Sequence, residues 1–343
     1  MRKATVIALA SITLLLLAFS RKPAGNFAIP DGWPKPAYDF RKHPLTAGKV
    51  ALGRRLFYEP GLSRDSTISC SSCHLSYTGF THIDHNLSHG IRGRIGIRNS
   101  PALQNLAWSS SFMWDGAVAH IDEQAQKPVS NPLEMDESMG NVVRKLNNIT
   151  AYRAAFYDAF ADSAITAGAL QQALGQFMLT LVSANAKYDK VMRGETTFTA
   201  REAHGYELFK ANCASCHTEP LFTNGGFENN GLRPDSALND MGRMKITGRP
   251  ADSLKFKVPS LRNVEVTYPY MHDGRFRNLQ MVLFHYTESV MQSPTLSPEL
   301  RRKLNFTEQD KNDIVLFLKT LTDEQFLKNP DFQYKATELI TAK

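Results

Sequence analysis

Cysteine is scarce in this chain, with four in 343 residues. All four fall in two short segments, so none is left to staple the rest of the chain. Charge of one sign is lacking too: 40 lysines and arginines face 33 aspartates and glutamates, a formal net charge of +7. So mild an excess excludes a nucleic-acid-binding stripe and acts mainly on solubility. Its one specific use would be to favour an acidic electron-donor protein. Hydrophobic residues at 42% and charged residues at 21% are the profile of an ordinary soluble globular chain, long enough for two domains.

What is present is one motif used twice. Cys70-Ser71-Ser72-Cys73-His74 and Cys213-Ala214-Ser215-Cys216-His217 each have the spacing of a c-type haem attachment site. Two thiols add to the haem vinyl groups, and the adjacent histidine offers an axial nitrogen to the iron. One tight turn can present all three groups to the same macrocycle edge. A single zinc site would want its cysteine pairs much closer than the 143 positions that separate these. Two disulfides would use the cysteines but leave the histidine after each pair unexplained. Two covalent haems, and therefore redox chemistry, are expected.

Met1-Arg2-Lys3 and an apolar run from Ala4 to Phe19 read as a secretion signal, residues 1–20, with Ala18 and Ser20 placed for cleavage after Ser20. No cysteine follows the run, which argues against a lipoprotein anchor. An uncleaved membrane anchor is the alternative, because the run is near the short limit for spanning a bilayer. Export to the periplasm agrees with c-type haems, which are attached outside the bacterial cytoplasm. Loss of Arg2 and Lys3 with the leader would bring the net charge to +5.

Residues 21–44, with Pro23, Pro30, Pro34, Pro36 and Pro44, read as an extended arm. Two mainly α, cytochrome-c-like haem domains follow, at 45–193 and 194–343, divided near Gly194. Gly140 to Met192 reads as helical, with Leu170, Leu174, Phe177 and Leu181 on one buried face. Thr199 and Glu202 form a capping box that opens the helix leading into the second motif. Thr307 caps a last helix with Ile314, Phe317, Leu318 and Leu321 turned inward. Between these helices, Thr223 to Pro259 reads as a long irregular loop.

Around the two motifs the chain resembles the bacterial diheme cytochrome c peroxidase family, over most of its length after Pro44. In the first half the matching segments are Leu52-Gly-Arg-Arg-Leu-Phe57, Arg98-Asn-Ser-Pro101, Phe112-Met-Trp-Asp-Gly116, Glu123-Gln-Ala125 and Asn131-Pro-Leu-Glu-Met135. Val258-Pro-Ser-Leu-Arg-Asn263 and Pro269-Tyr-Met-His-Asp-Gly274 continue them in the second.

The resemblance implies a reaction and the residues that serve it. Hydrogen peroxide would be reduced to water at the N-terminal haem, with electrons from a small cytochrome c or cupredoxin entering at the C-terminal haem. Glu134 takes the position of the acid/base that moves a proton from the inner to the outer peroxide oxygen, and Gln124 that of a glutamine that orients peroxide. Trp114 falls between the haems, where an indole shortens the tunnelling gap. His89 matches a histidine that ligates the peroxidatic iron in the resting enzyme and leaves when the other haem is reduced. His82 and His85 compete with it for that role, and Gly90, Gly93 and Gly96 would let the loop move. A calcium ion between the domains is implied at the positions of Asn99, Thr267 and Pro269, where oxygen donors suit it.

The chain departs from the family at the second haem. Well-known members place a methionine there as sixth ligand, but fourteen positions after His272 this chain has Tyr286. A phenolate oxygen favours ferric over ferrous iron and lowers the potential. Tyr286 resembles the ligand of the related methylamine-utilisation diheme enzyme, which oxidises tryptophans in a protein substrate. Met281 and Met291 are nearby alternatives. Three readings follow. The leading one is an exported diheme peroxidase; Tyr286 favours a peroxide-dependent oxidase of a partner protein; an electron carrier would have no use for Glu134 and Gln124. The identity of the donor, the need for prior reduction and the oligomeric state, a homodimer included, are not set by the sequence.

Overall fold

The computed structural model describes residues 27–162 and 164–335. The leader expected at 1–20 and the start of the arm lie outside the described residues. Among the described residues the chain is mainly α. In order come α1 (Ala47–Phe57), α2 (Ile121–Gln124), α3 (Gln126–Ser130), α4 (Met139–Asn147), α5 (Thr150–Phe160) and α6 (Ala167–Leu179). They are followed by α7 (Lys187–Met192), α8 (Ala200–Asn212), α9 (Met244–Thr247), α10 (Leu279–Phe284), α11 (Glu308–Lys319) and α12 (Glu324–Leu327). Strands β1 (Phe227–Glu228) and β2 (Phe256–Lys257) pair antiparallel, with Phe227 opposite Lys257. Among the described residues no helix is long and apolar enough to cross a membrane.

Each half is built on one helix pair, α1 against α6 and α8 against α11. All four helices begin on a threonine whose hydroxyl accepts an N–H of the first turn: Thr46, Thr166, Thr199 and Thr307. Such a cap contributes about 1 kcal/mol. Thr199 with Glu202, and Thr307 with Asp310, close full capping boxes. Both crossings run over a glycine, because a Cβ on Gly53 would collide with the Ala173 carbonyl and one on Gly205 with the Asp313 carbonyl. The helix backbones can therefore touch.

Leu170, Leu174 and Phe177 are buried as the spacing predicts, and Leu181 is buried just past the end of α6. The helical stretch read at 140–192 is cut into α4, α5, α6 and α7. One break falls at Ala161, whose left-handed φ of 59° closes α5. The stretch read as irregular, 223–259, holds α9 and both strands; β1 finds its partner about thirty residues away, which leaves no local periodicity to read.

Two apolar cores result. Leu56, Phe57, Phe156, Leu174 and Phe177 belong to the first; Phe209, Phe222, Ile314, Phe317 and Leu321 belong to the second. The chain after α11 returns to the first core, where Phe326 and Leu327 are buried. The described part of the arm is fastened as well. Tyr38 N–H donates to the Ala107 carbonyl, and Trp33 packs edge-on against Trp108 with ring centroids 4.8 Å apart.

A stretch of the first half recurs in the second, displaced by 158 positions. Pro101-Ala-Leu-Gln-Asn105 corresponds to Pro259-Ser-Leu-Arg-Asn263, and Met113-Trp-Asp-Gly116 to Met271-His-Asp-Gly274. The backbones agree: φ is 61° and 58° at the two asparagines, 69° and 75° at the two methionines. The copies clasp each other reciprocally. Asn99 N–H donates to the His272 carbonyl at 2.7 Å, and Lys257 N–H donates to the Trp114 carbonyl at 2.7 Å. Asn99 corresponds to Lys257, and Trp114 to His272. Arg98 reinforces the seam, bonding Asp115 of its own half at 2.6 Å and Asp240 of the other at 2.6 Å.

Candidate haem sites

Each Cys-x-x-Cys-His segment folds into one tight turn, with the histidine N–H donating to the carbonyl of the first cysteine, at 3.0 Å from His74 and 2.9 Å from His217. The four thiols are unpaired. His74 Nδ1 lies 2.7 Å from the Phe80 carbonyl and His217 Nδ1 lies 3.1 Å from the Phe222 carbonyl. A carbonyl only accepts, so each Nδ1 carries the hydrogen and each Nε2 keeps its lone pair for a metal. Burial pushes the His74 imidazole down to about 4 and lowers His217 as well, so both rings stay neutral and able to ligate. Two thiols and one pre-set imidazole nitrogen per turn fit a c-type haem.

Glu134 stands beside the first turn. The Cys73 thiol is pushed up to about 11, first by burial and then by the Glu134 carboxylate. Burial raises Glu134 itself, against a hydrogen bond from Asn131 Nδ2 to Oε1 at 2.7 Å. The Asn131 Oδ1 accepts the Leu133 N–H at 3.0 Å, so a local asparagine turn sets the carboxylate's position. His89 lies on the neighbouring loop, where its carbonyl is 3.5 Å from the Cys73 sulfur. Its ring is tilted by 34° against His85 with centroids 3.8 Å apart, and His85 stacks on His82 at 5.0 Å. The three histidines left open by the sequence therefore form one cluster.

A cavity of about 430 Å³ is lined by Cys213, Cys216, His217 and Tyr286 together with Trp114 and Gln124. Glu134 and His89 are outside that lining. Trp114 Nε1 donates to the Asn99 carbonyl at 2.8 Å. Gln124 ends α2, and its amide donates to the Met113 sulfur at 3.7 Å. Tyr286 lies in a π-helical turn, His285–Ser289, that continues α10. Wider turns of this kind shift the register of a helix and often sit at functional sites. Buried His285, 3.0 Å from the Asn230 carbonyl, anchors this one. Burial pushes the Tyr286 hydroxyl up to about 12, which keeps it a phenol unless a cation at its oxygen reverses the balance. Met281 is 40% exposed, and neither it nor Met291 lines the cavity. The methionines that line the cavity are Met113 and Met271, and Met271 accepts from Asn230 Nδ2 at 3.3 Å; the sequence marks neither as a ligand.

Asn99, Thr267 and Pro269 all line the cavity, and Asn99 Nδ2 donates to the Pro269 carbonyl at 2.5 Å. Gln104 Oε1 is buried close by with no donor among the described residues. It neighbours Thr267, since a Cβ on Gly79 would stand 3.2 Å from Gln104 Oε1 and 2.9 Å from Thr267 Cγ2. An orphaned oxygen among oxygen donors suits a hard cation. His272, stacked on Phe256 at 3.6 Å, and Lys257 also face the cavity. The 158-residue correspondence with Trp114 and Asn99 was the signal that could have found them.

Known proteins share this arrangement. The family model described as Di-haem cytochrome c peroxidase matches residues 47–197, and that described as Cytochrome c matches residues 202–322. The chain is 36% identical over 311 residues to the methylamine utilization protein MauG of Methylorubrum extorquens, covering 87% of this chain and 84% of the relative. It is 34% identical over 295 residues to the cytochrome c551 peroxidase of Nitrosomonas europaea, covering 84% and 83%. The crystal structure of a MauG-like protein associated with microbial copper homeostasis superposes with a TM-score of 0.81 at 31% identity, over 90% of this chain and 99% of that one. Relatives bearing both names are matched over more than four fifths of their length, so the chain belongs to the di-haem cytochrome c peroxidase family, MauG proteins included, with two cytochrome-c-like domains and two c-type haems.

Proposed function

We propose that the protein is an exported diheme peroxidase that reduces hydrogen peroxide to water with electrons from a small cytochrome c or cupredoxin. Glu134 carries this reading: a half-buried carboxylate of raised proton affinity, held by one neutral amide, beside the Cys70–Cys73 turn. Cys70, Cys73 and His74 would hold the N-terminal haem, and Cys213, Cys216 and His217 the C-terminal one. Bound haem supplies the redox chemistry. The Glu134 oxygen not engaged by Asn131 takes the proton from the inner peroxide oxygen and returns it to the outer one, which leaves as water. Gln124, whose amide has a weak thioether acceptor among the described residues, would orient the peroxide. Two electrons and two protons turn one peroxide into two waters. Trp114 suits a relay between the halves, because the Asn99 carbonyl on its N–H stabilises positive charge on the indole. Steady-state turnover with peroxide and a reduced donor tests the reading, and undiminished turnover by fully haem-loaded Glu134→Gln protein would refute it.

A peroxide-dependent oxidase of a partner protein is the second reading, favoured by Tyr286 on the wall of the C-terminal haem cavity. It predicts slow covalent modification of a partner beside negligible turnover of a small donor. We also propose calcium at Asn99, Thr267 and Pro269, with Gln104 Oε1 as a further donor, and His89 as the exchangeable ligand of the first haem. The proposal of export rests on residues 1–20 and on the haem type.

A further inference from the structure

The cavity holds a cation that no carboxylate among the described residues neutralises. Lys257, on β2, lines it together with Trp114 and His272. An ammonium has three N–H donors. Ser109 Oγ at 3.3 Å and the Ser111 carbonyl at 2.5 Å accept two of them, and among the described residues no carboxylate pairs with the third. Three arginines near the seam are compensated by carboxylates, Arg98 by Asp115 and Asp240, Arg262 by Asp189 and Arg275 by Asp273, while Arg243 donates to the Asp115 carbonyl and lies over the Phe227 ring. Nor does the repeat require a charge here. The corresponding residue is neutral Asn99, which makes the same backbone clasp with its N–H.

The surroundings disfavour a lone ammonium. The Phe112 ring, 5.6 Å from Nζ, offers a weak cation–π attraction, but burial outweighs it and pushes the group down to about 8. A buried cation is tolerated when an anion shares its site. Haem brings that anion, because its two propionates project from the edge remote from the vinyl groups that bind the thiols.

We propose that Lys257 Nζ is the counter-charge of a haem propionate in this cavity, holding the carboxylate by a charge-assisted hydrogen bond at the seam between the halves. Either haem could supply it: Cys213 and Cys216 line the cavity, whereas Ser109, Ser111 and Trp114 belong to the first half. A cation there offsets propionate charge that otherwise stabilises ferric iron, so it raises the potential of the haem it serves. The inference rests on the two haems and not on the reaction they run.

The test compares Lys257→Gln, Lys257→Met and Lys257→Arg proteins matured with haem. Haem per chain is counted by mass, and each haem's midpoint potential is read by spectroelectrochemical titration. The glutamine and methionine variants should lower the midpoint of one haem and leave the other in place, with arginine restoring it; the haem that shifts identifies the propionate. Unchanged midpoints in fully loaded Lys257→Gln protein overturn the proposal. So does an equal shift in the arginine and glutamine variants, which marks a packing role. If the neutral variants load no haem, a crystal structure of the wild-type holoprotein decides. Nζ within about 3.2 Å of a propionate oxygen supports the pairing, and a separation beyond about 4 Å removes it. Peroxide turnover is no readout here, so the proposed reaction stands or falls separately.

Discussion

Gly90 lies flat against Glu134: a Cβ on Gly90 would stand 2.5 Å from Glu134 Cα, and Ile91 N–H donates to the Glu134 carbonyl at 2.7 Å. The His89 loop and the proposed proton shuttle are therefore one packed unit. The glycine that the sequence suggested for mobility also permits this close approach. Gly90→Ala should push the Glu134 backbone away and lower peroxide turnover by about tenfold or more, since small misplacements of an acid/base are costly. Full turnover in the haem-loaded variant would show that the contact does not position Glu134.

Glu134→Gln keeps the size and the Asn131 contact but loses the exchangeable proton. A loss on the order of 10²- to 10⁴-fold in turnover is expected. The deprotonated carboxylate starts the cycle, so wild-type activity should rise with pH through the raised value of Glu134. That limb should lie above the ordinary glutamate value of about 4.3. A pH profile with the same limb in the glutamine variant would assign it to another group.

Tyr286 is tested by its spectrum. If its oxygen ligates the second haem, Tyr286→Phe should alter the electron paramagnetic resonance signal of that haem, and Tyr286→Met should raise its midpoint potential. An unaltered signal in the phenylalanine variant would turn attention to Met271, a methionine of the second half that lines the same cavity.

Arg98 bridges the halves. Burial alone would raise Asp240, but hydrogen bonding and charge from Arg98 outweigh it and hold the carboxyl at about 2. Its folded value is depressed, so the pair stabilises the protein above the ordinary aspartate value of about 3.9 and loses that contribution as pH falls toward 2. Arg98→Met would leave buried Asp115 without its ion-pair partner and Asp240 with only Lys245, 3.5 Å away, and should cost about 3–5 kcal/mol. Denaturant unfolding of the holoprotein at neutral pH measures this, and a cost under about 1 kcal/mol would mean that water replaces the guanidinium.

Calcium is tested by removal. Chelation should lower the thermal midpoint of the wild type, and Asn99→Ala protein should no longer respond to the chelator. A wild type indifferent to chelation and to added calcium would leave Gln104 Oε1 to a water molecule.

The sequence by itself determined what is decided within a few residues. The haem turns span five positions, the Thr199 and Thr307 capping boxes four, and the face of α6 repeats at helical spacing. Such features depend on neighbours in the chain, so their residue types reveal them. The tertiary structure alone decided which distant segments share a wall. It put Tyr286 rather than Met281 in the cavity, returned Phe326 and Leu327 to the first core, and left Lys257 facing an anion's place. The 158-residue repeat was written in the residues, yet its consequence, two copies clasped through Asn99–His272 and Lys257–Trp114, was not. Those contacts join segments more than a hundred positions apart, and they exist only once the two halves have closed on each other.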